Sequence, residues 1–412
     1  MTDADSRADA RPSARPPRPV LYVMDTLGLS GRTKGIIDLA LHLDPARYRP
    51  VFCSLGDETS ELAERLHEHG VPVEMLPLAA GLRPENVAKL VGLIRRHEID
   101  VVHPVNPRPL LYAGLAGRLC GVRSAVGSLS AFACQVPDRQ YAFLPQELVN
   151  RGRRQALRNQ LACQLMHNIV AVSEELGERF CRFTADGAGP LAGPVYRWLK
   201  GKMRAISYGI DLAPYQAVTA EEIAALRARV GATEGTVLVG SVGRLVEQKD
   251  YPTQLRAFAI AARAEPRLRM VLAGDGPLRG EIKALAQELG VADRIFLLGH
   301  WVRVPALLRA LDVFILASKF EPYGVALLEA KCAGCAIVAT AVNEIPKLLH
   351  DGLTGLVVPA ESPQPMADAF LRLARDPQLR GAVAGRAFVE AEQKHSIDAV
   401  ARAYQALYDR PL

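Results

Sequence analysis

Residues 318–329 read SKFEPYGVALLE, and the fold turns on how this stretch is read. Ahead of it, residues 312–317 (DVFILA) form a short apolar run with β-branched and aromatic members between polar neighbours, the pattern of a buried strand. Pro322 pushes Glu321 towards an extended backbone, and Gly324 lets the chain approach a ligand closely. From Val325 the pattern VALLEAKCAG is helical and ends near Gly334. A strand that passes straight into a helix presents free N–H groups and a positive dipole end, a seat for phosphate. Glu321 stands at the mouth of this turn, and Glu329 lies more than a turn into the helix. Alone, the two are a loop carboxylate and a helix-face charge, so their surroundings have to decide.

Working outward, the second half of the chain repeats this unit. VLVGSVG (237–243), LRMVLAG (268–274), RIFLLG (294–299), AIVAT (336–340) and GLVVP (355–359) read as further strands separated by helical patterns. The first half alternates likewise, with strands expected at 19–25, 49–55, 73–78, 100–105, 124–129, 168–173 and 203–208. Such alternation implies parallel sheets with helices on both faces. The fold class is therefore α/β, with two doubly wound Rossmann-like domains facing across a cleft. Residues 1–19, rich in Arg, Pro, Ala and Asp, read as a disordered tail without the apolar core of a secretory signal. The domains are expected at 20–210 and 235–394, with a linker and helix at 211–234 and a last helix at 395–412 that crosses back to the first domain. Residues 130–166 break the rhythm as a long excursion, and 184–197, rich in Gly, Pro and Ala, read as an irregular loop.

A chain of 412 residues with 49% hydrophobic and 23% charged residues is globular and too long for one ordinary core. No apolar run reaches the length of a membrane span. Seven scattered cysteines suit reduced thiols and a cytoplasmic location; Cys332-Ala-Gly-Cys335 reads as packing, with no second pair to complete a metal site. The net charge of +6 is modest but clustered: Arg151, Arg153, Arg154 and Arg158, then Arg197, Lys200, Lys202 and Arg204 beside Tyr196 and Trp198. Basic residues among aromatics suit an anionic membrane surface or, equally, a solvated face. No nucleic-acid module signature is present.

Four consecutive strand ends of the second half carry chemistry. Gly243-Arg244 closes the first, and Lys249 follows in the same loop; together they can neutralise a diphosphate as negative charge develops on it. Asp275, in Gly274-Asp275-Gly276, is a turn residue after the second. His300-Trp301 follows the third, where the indole either stacks on a base or packs on the rim. The fourth brings Glu321 to Glu329.

These motifs resemble those of a GT-B glycosyltransferase of the large retaining family 4, the glycosyl transferases group 1. The resemblance covers about residues 20 to 410. It is carried by GRLVEQKD (243–250), LAGDGPLR (272–279), FLLGH (296–300), ALDVFILAS (310–318) and EPYGVALLEA (321–330), the last being the family's Glu-x7-Glu signature; TGLVVP (354–359) and the terminal helix also fit. The first half departs more. Ser30-Gly31-Arg32-Thr33 stands where members often have Gly-Gly-Ala-Glu, Gly127-Ser128 where a histidine is common, and 343–347 (NEIPK) where Gly-Gly-x-Pro-Glu is usual.

The resemblance implies a metal-independent enzyme without a cofactor that uses a nucleotide-diphosphate sugar. By matching position, Arg244 and Lys249 would grip the diphosphate near Gly31 and Gly243. The amides around Gly324 and Val325, in the turn with Tyr323, would add hydrogen bonds. Glu329 would take the ribose hydroxyls, and Glu321 would contact the donor sugar near the reacting carbon. His300, Trp301 and Val304 are base-side candidates; His103, Asn106 and Ser128 are acceptor-side candidates. The expected function is transfer of a sugar from UDP- or GDP-sugar to a hydroxyl of a glycan, lipid-linked or small-molecule acceptor, in the cytoplasm and peripherally at the membrane's inner face. The alternatives are a sugar-nucleotide epimerase of the same architecture and a catalytically degenerate nucleotide-binding partner protein.

Overall fold

The computed structural model describes residues 16–28, 30–58, 60–78, 83–129, 146–321 and 323–410, with side chains from 154 onward in the helix that begins at 146. Leu29, Pro322, most of the expected tail (1–15) and residues 130–145 lie outside the described residues, as do the side chains of Arg151 and Arg153.

Two parallel sheets organise the molecule. The first contains β1 (Arg18–Met24), β2 (Tyr48–Ser54), β3 (Val73–Met75), β4 (Val101–Pro104), β5 (Ser124–Leu129), β6 (Asn168–Ala171) and β7 (Met203–Ala205), in the order β3-β2-β1-β4-β5-β6-β7. The second contains β8 (Val237–Val242), β9 (Leu268–Ala273), β10 (Ile295–Gly299), β11 (Val313–Leu316), β12 (Ala336–Thr340) and β13 (Leu356–Val358), in the order β10-β9-β8-β11-β12-β13. Helices cover both faces of each sheet, so the central strands are buried throughout and read as unbroken apolar runs, VLYVM in β1 and VFIL in β11. In both sheets the strand order reverses beside the first strand, at β1/β4 and at β8/β11. The crevice at such a reversal, outside the carboxyl ends, is where doubly wound sheets take ligands.

The chain passes between the lobes twice, and the two passages are bonded to each other. Ile210 N–H donates to the His395 carbonyl at 2.8 Å, and Ile397 N–H donates to the Ile210 carbonyl at 3.1 Å. Beyond this point the final helix, Ile397–Tyr408, returns to the first sheet. Its Ile397, Val400, Ala401, Tyr404, Leu407 and Tyr408 share a buried cluster with Val20, Tyr22 and Phe52 of that sheet.

A polar network at this seam explains two residues that the sequence placed on the acceptor side. His103 is fully buried on β4; its Nδ1 lies 2.6 Å from the Tyr408 hydroxyl and its Nε2 lies 2.6 Å from Ser128 Oγ. Ser128 Oγ is also 3.0 Å from the Tyr404 hydroxyl, and Tyr22 meets Tyr408 at 3.1 Å. Burial pushes the His103 imidazole down to about 3, so it is neutral and serves as a two-sided hydrogen-bond partner. His103 and Ser128 thus hold the final helix to the sheet, and Ser128 also lines a cavity with Arg32, Gly35 and Tyr208.

Two further expectations are corrected. Arg18, assigned to the tail, belongs to β1, which starts one residue ahead of the expected strand at 19–25. The expected loop at 184–197 is mostly helical: one helix runs Glu174–Asp186, a short 3-10 turn spans Gly189–Leu191, and another helix runs Ala192–Lys202. Pro190 and Pro194 both fall within first turns, where no amide partner is needed, so their presence does not break the helices. The long excursion likewise contains a helix, Gln146–Gln164.

Candidate functional site

The site grows from the reversal between β8 and β11. Gly243 follows β8, and Gly274, just after β9, packs so tightly on it that a Cβ at Gly274 would lie 1.8 Å from the Gly243 carbonyl oxygen. Only glycine permits this approach at φ 142°. It shapes the loop that carries Arg244, which is exposed, and Lys249, which is half-buried. Asp250 accepts from the Thr253 N–H at 3.3 Å and caps helix Tyr251–Ala264.

Across the reversal, Gly324 (φ 97°) ends the turn after β11 and begins helix Val325–Cys332. The cation of one loop and the carboxylate of the other meet here: Lys249 Nζ lies 2.5 Å from Glu321 Oε2. Ser318 Oγ donates to the same oxygen at 3.1 Å, and the Glu321 N–H donates to Asn343 Oδ1 at 3.1 Å. Glu321 is therefore buried and oriented from three sides. Asn343, in the segment that departs from the family pattern, is a site residue that the sequence reading missed.

Glu329 sits one helical face further on, and its partner comes from the other lobe. Lys34 Nζ, on helix Gly31–Leu41, lies 2.9 Å from Glu329 Oε1 and 3.6 Å from Asp38 Oδ2. The helix is started by Ser30, whose hydroxyl accepts from the Thr33 N–H at 3.1 Å. A Cβ on Gly31 would lie 3.5 Å from Val325, so the two helix N-termini, one from each lobe, face each other at close range. The lobes also meet where Tyr323 packs edge-on against Tyr208, with ring centroids 5.3 Å apart. Glu344 reaches Ser173; burial raises its carboxyl above the usual range, against the pull of Ser173 and Arg179. Lys347 pairs with Glu175.

The remaining candidates are dispersed. His300 is exposed and Val304 half-buried at the end of β10. The Trp301 indole N–H donates to the Arg303 carbonyl at 3.1 Å, and the Arg229 guanidinium lies 5.0 Å from the ring centroid, so one face of the indole is covered by its own lobe. Asn106, just after β4, has φ 78° and ψ 160°, a region other residues leave to glycine. Cys332 and Cys335 are buried; the Cys332 thiol is pushed up to about 12 by burial, and Cys335 Sγ donates to the Leu308 carbonyl at 2.9 Å, as packing predicts. Asp275 accepts from the Gly276 N–H at 2.8 Å and is a turn residue.

The basic stretches have mixed fates. Tyr196 donates to Glu178 at 2.6 Å, Lys200 pairs with Glu178 at 2.8 Å, and Lys202 donates to the Cys163 and Met166 carbonyls while lying over the Trp198 ring. Arg154 and Arg158 are exposed, next to exposed Leu157 and Leu161 on the same helix. Among the described residues, no helix is long and apolar enough to cross a membrane.

Comparison with known proteins agrees with this geometry. The family model described as Glycosyl transferases group 1 matches residues 222–389, and that of Glycosyltransferase Family 4 matches residues 30–188. The chain is 32% identical over 187 residues to an Alpha-D-kanosaminyltransferase of Streptomyces kanamyceticus, covering 45% of this chain and 48% of that protein. It is 31% identical over 194 residues to the lipopolysaccharide core biosynthesis glycosyltransferase LpsE of Rhizobium meliloti, covering 47% and 56%. The match thus spans about half the length of these curated relatives. Among solved structures, Anabaena HepE in complex with UDP superposes with a TM-score of 0.75 at 20% identity, over 94% of this chain and 98% of that one. WaaG, a glycosyltransferase involved in lipopolysaccharide biosynthesis, superposes with a TM-score of 0.67 at 16% identity, over 95% and 100%. The chain thus has the paired-sheet GT-B fold end to end, with a Glycosyltransferase Family 4 domain in its first lobe and a Glycosyl transferases group 1 domain in its second.

Proposed function

We propose that this protein transfers a sugar from a nucleoside-diphosphate sugar, UDP- or GDP-linked, to a hydroxyl of a glycan, lipid-linked or small-molecule acceptor, with retention at the anomeric carbon. The observation that carries this reading is the Lys249–Glu321 pair, set beside the Gly324 helix start at the strand-order reversal. The group 1 domain of the second lobe supports it, as does the structural likeness to HepE, a protein solved in complex with UDP.

In the proposed reaction, the diphosphate lies between Arg244, Lys249 and the free amides at Gly324 and Val325. As the bond from the anomeric carbon to the phosphate oxygen lengthens, these cations and amides meet the growing charge, which is the largest contribution such sites make. Glu321, relieved of Lys249 by the phosphate, turns to the sugar's hydroxyls. The departing diphosphate takes the acceptor's proton on the same face, and the acceptor oxygen bonds the carbon where the phosphate left. Charge neutralisation comes from side chains and amides, so no metal ion or cofactor is needed and a chelator leaves turnover unchanged.

Incubation with UDP- and GDP-sugars and an acceptor panel tests this reading: transfer, or slow donor hydrolysis without acceptor, is expected. An epimerised donor would instead favour the isomerase, and nucleotide binding without turnover of any donor would favour the degenerate partner protein. A cytoplasmic enzyme working at an anionic membrane face completes the proposal. What supports that last part is the exposed Leu157–Leu161 ridge flanked by Arg154 and Arg158.

A further inference from the structure

The helix Gly31–Leu41 belongs to the first lobe, yet its lysine is bonded to a carboxylate of the second. Lys34 Nζ meets Glu329 Oε1 at 2.9 Å across 295 positions of sequence. The ammonium is itself braced, because Asp38 lies one turn further on at 3.6 Å and Arg65 Nη1 holds Asp38 Oδ1 at 2.5 Å. Burial alone would push Lys34 down; Glu329 and Asp38 outweigh it and hold the ammonium well above the usual lysine range, so it stays charged. From the connecting segment, buried Tyr215 stands near the same Glu329 carboxylate; burial first, and then that negative charge, push its phenol well above the usual range.

A carboxylate offers about four lone-pair positions to donors. Lys34 takes one, which leaves enough for the two donors of a ribose 2′,3′-diol. The carboxylate is mostly shielded from water, so fixing it in advance removes the rotamer entropy that a free glutamate would lose on binding. We infer that Lys34 is a positioning residue for the nucleotide's ribose: it orients Glu329 from the opposite lobe and makes recognition of the 2′-hydroxyl depend on both lobes. This rests on the nucleoside-diphosphate reading above and deepens it. Ribose discrimination then belongs to the closed arrangement of the lobes, whereas diphosphate binding by Arg244 and Lys249 belongs to the second lobe alone.

The test compares UDP and GDP with their 2′-deoxy counterparts and with inorganic pyrophosphate, by calorimetric titration into wild type, Lys34→Met and Lys34→Arg. Wild type should prefer the ribonucleotide by about tenfold or more, the discrimination expected of one hydrogen bond to a charged group. Lys34→Met should lose most of that preference while binding pyrophosphate as wild type does, which also reports that the variant is folded. Lys34→Arg should keep the preference. A Lys34→Met variant that retains the full preference, or that binds the ribonucleotide more tightly than wild type, overturns the inference, the second result making Lys34 a competitor of the ribose. If Lys34→Met fails to fold, the same comparison on Lys34→Gln decides, since that change removes the cation but keeps a polar side chain, and should lower the preference. A wild type that binds neither UDP nor GDP overturns the nucleotide reading itself, a result distinguishable from either of the others.

Discussion

Lys249 and Glu321, 72 positions apart in sequence, form a direct ion pair at 2.5 Å at the carboxyl ends of β8 and β11. Both side chains are largely shielded, with 18% and 10% of their surface exposed. This makes the two cations of the site unequal. Arg244→Ala removes an exposed charge and should leave the melting temperature within about 2 °C while lowering kcat by about 10²-fold. Lys249→Ala should lower kcat at least as much and also destabilise the fold by about 1–3 kcal/mol, because Glu321 loses its counter-charge. Adding Glu321→Gln to Lys249→Ala should recover part of that stability without activity. Melting curves and steady-state rates on the three variants check this.

A second buried pair makes an asymmetric prediction. Lys331, two positions beyond Glu329 on helix Val325–Cys332, is fully buried and meets Glu390 at 2.8 Å. Glu390 also pairs with Lys394 at 2.9 Å. Lys331→Met fills the same space and leaves Glu390 with Lys394, so a loss within about 1 kcal/mol is expected. Glu390→Ala strands a buried ammonium and should cost about 3 kcal/mol or more. Urea denaturation distinguishes the two; equal losses would contradict the pairing.

The seam of the final helix sets a pH limit. His103 titrates near 3 when folded, against an ordinary value near 6.5, and His395 is pushed down to about 4 by burial. Each contributes stability that is complete above about pH 6.5 and is lost as pH falls from there towards the folded value, because the unfolded chain takes up the proton first. Each group costs about 1.4 kcal/mol per pH unit within that window. Stability should therefore fall between about pH 6.5 and pH 4.5, and His103→Asn should show lower stability at about pH 8 but a shallower decline. An unchanged slope would place the titration elsewhere.

Membrane contact is expected from the helix Gln146–Gln164 and not from the basic-aromatic stretch that follows. Sedimentation with anionic vesicles should decrease at high salt and on Leu157→Asp or Leu161→Asp. Lys200→Ala should leave it unchanged, because that lysine is committed to Glu178. Vesicles that bind none of these proteins at low salt would rule out the membrane as a partner of this helix.

The sheets and the second-lobe loops are legible in the sequence because both depend on local signals: unbroken apolar runs, and glycines with charges at strand ends. Residues 312–329 announce their own strand, turn and helix, and Glu321 and Lys249 do meet. Pairings between distant segments are not legible. His103 and Ser128 look like free polar residues at strand ends because nothing local shows that Tyr404 and Tyr408 return to cover them. Lys34 sits in an ordinary helical pattern, and only the contact between the lobes gives it a part. Composition misleads at 184–197, where Gly and Pro suggest a loop although the prolines fall within first turns. Asn343 is visible only as a departure from a pattern, and its use as a support for the Glu321 backbone depends on tertiary placement.

Whether Lys249 and the helix start beside it hold a nucleotide is decided by calorimetric titration of UDP and GDP, at low salt, into the wild-type protein and the Lys249→Ala variant. Wild type should bind at least one of the two nucleotides, and Lys249→Ala should weaken that binding by about tenfold or more. Undiminished affinity in the Lys249→Ala protein, or no binding of either nucleotide to the wild type, would refute the assignment.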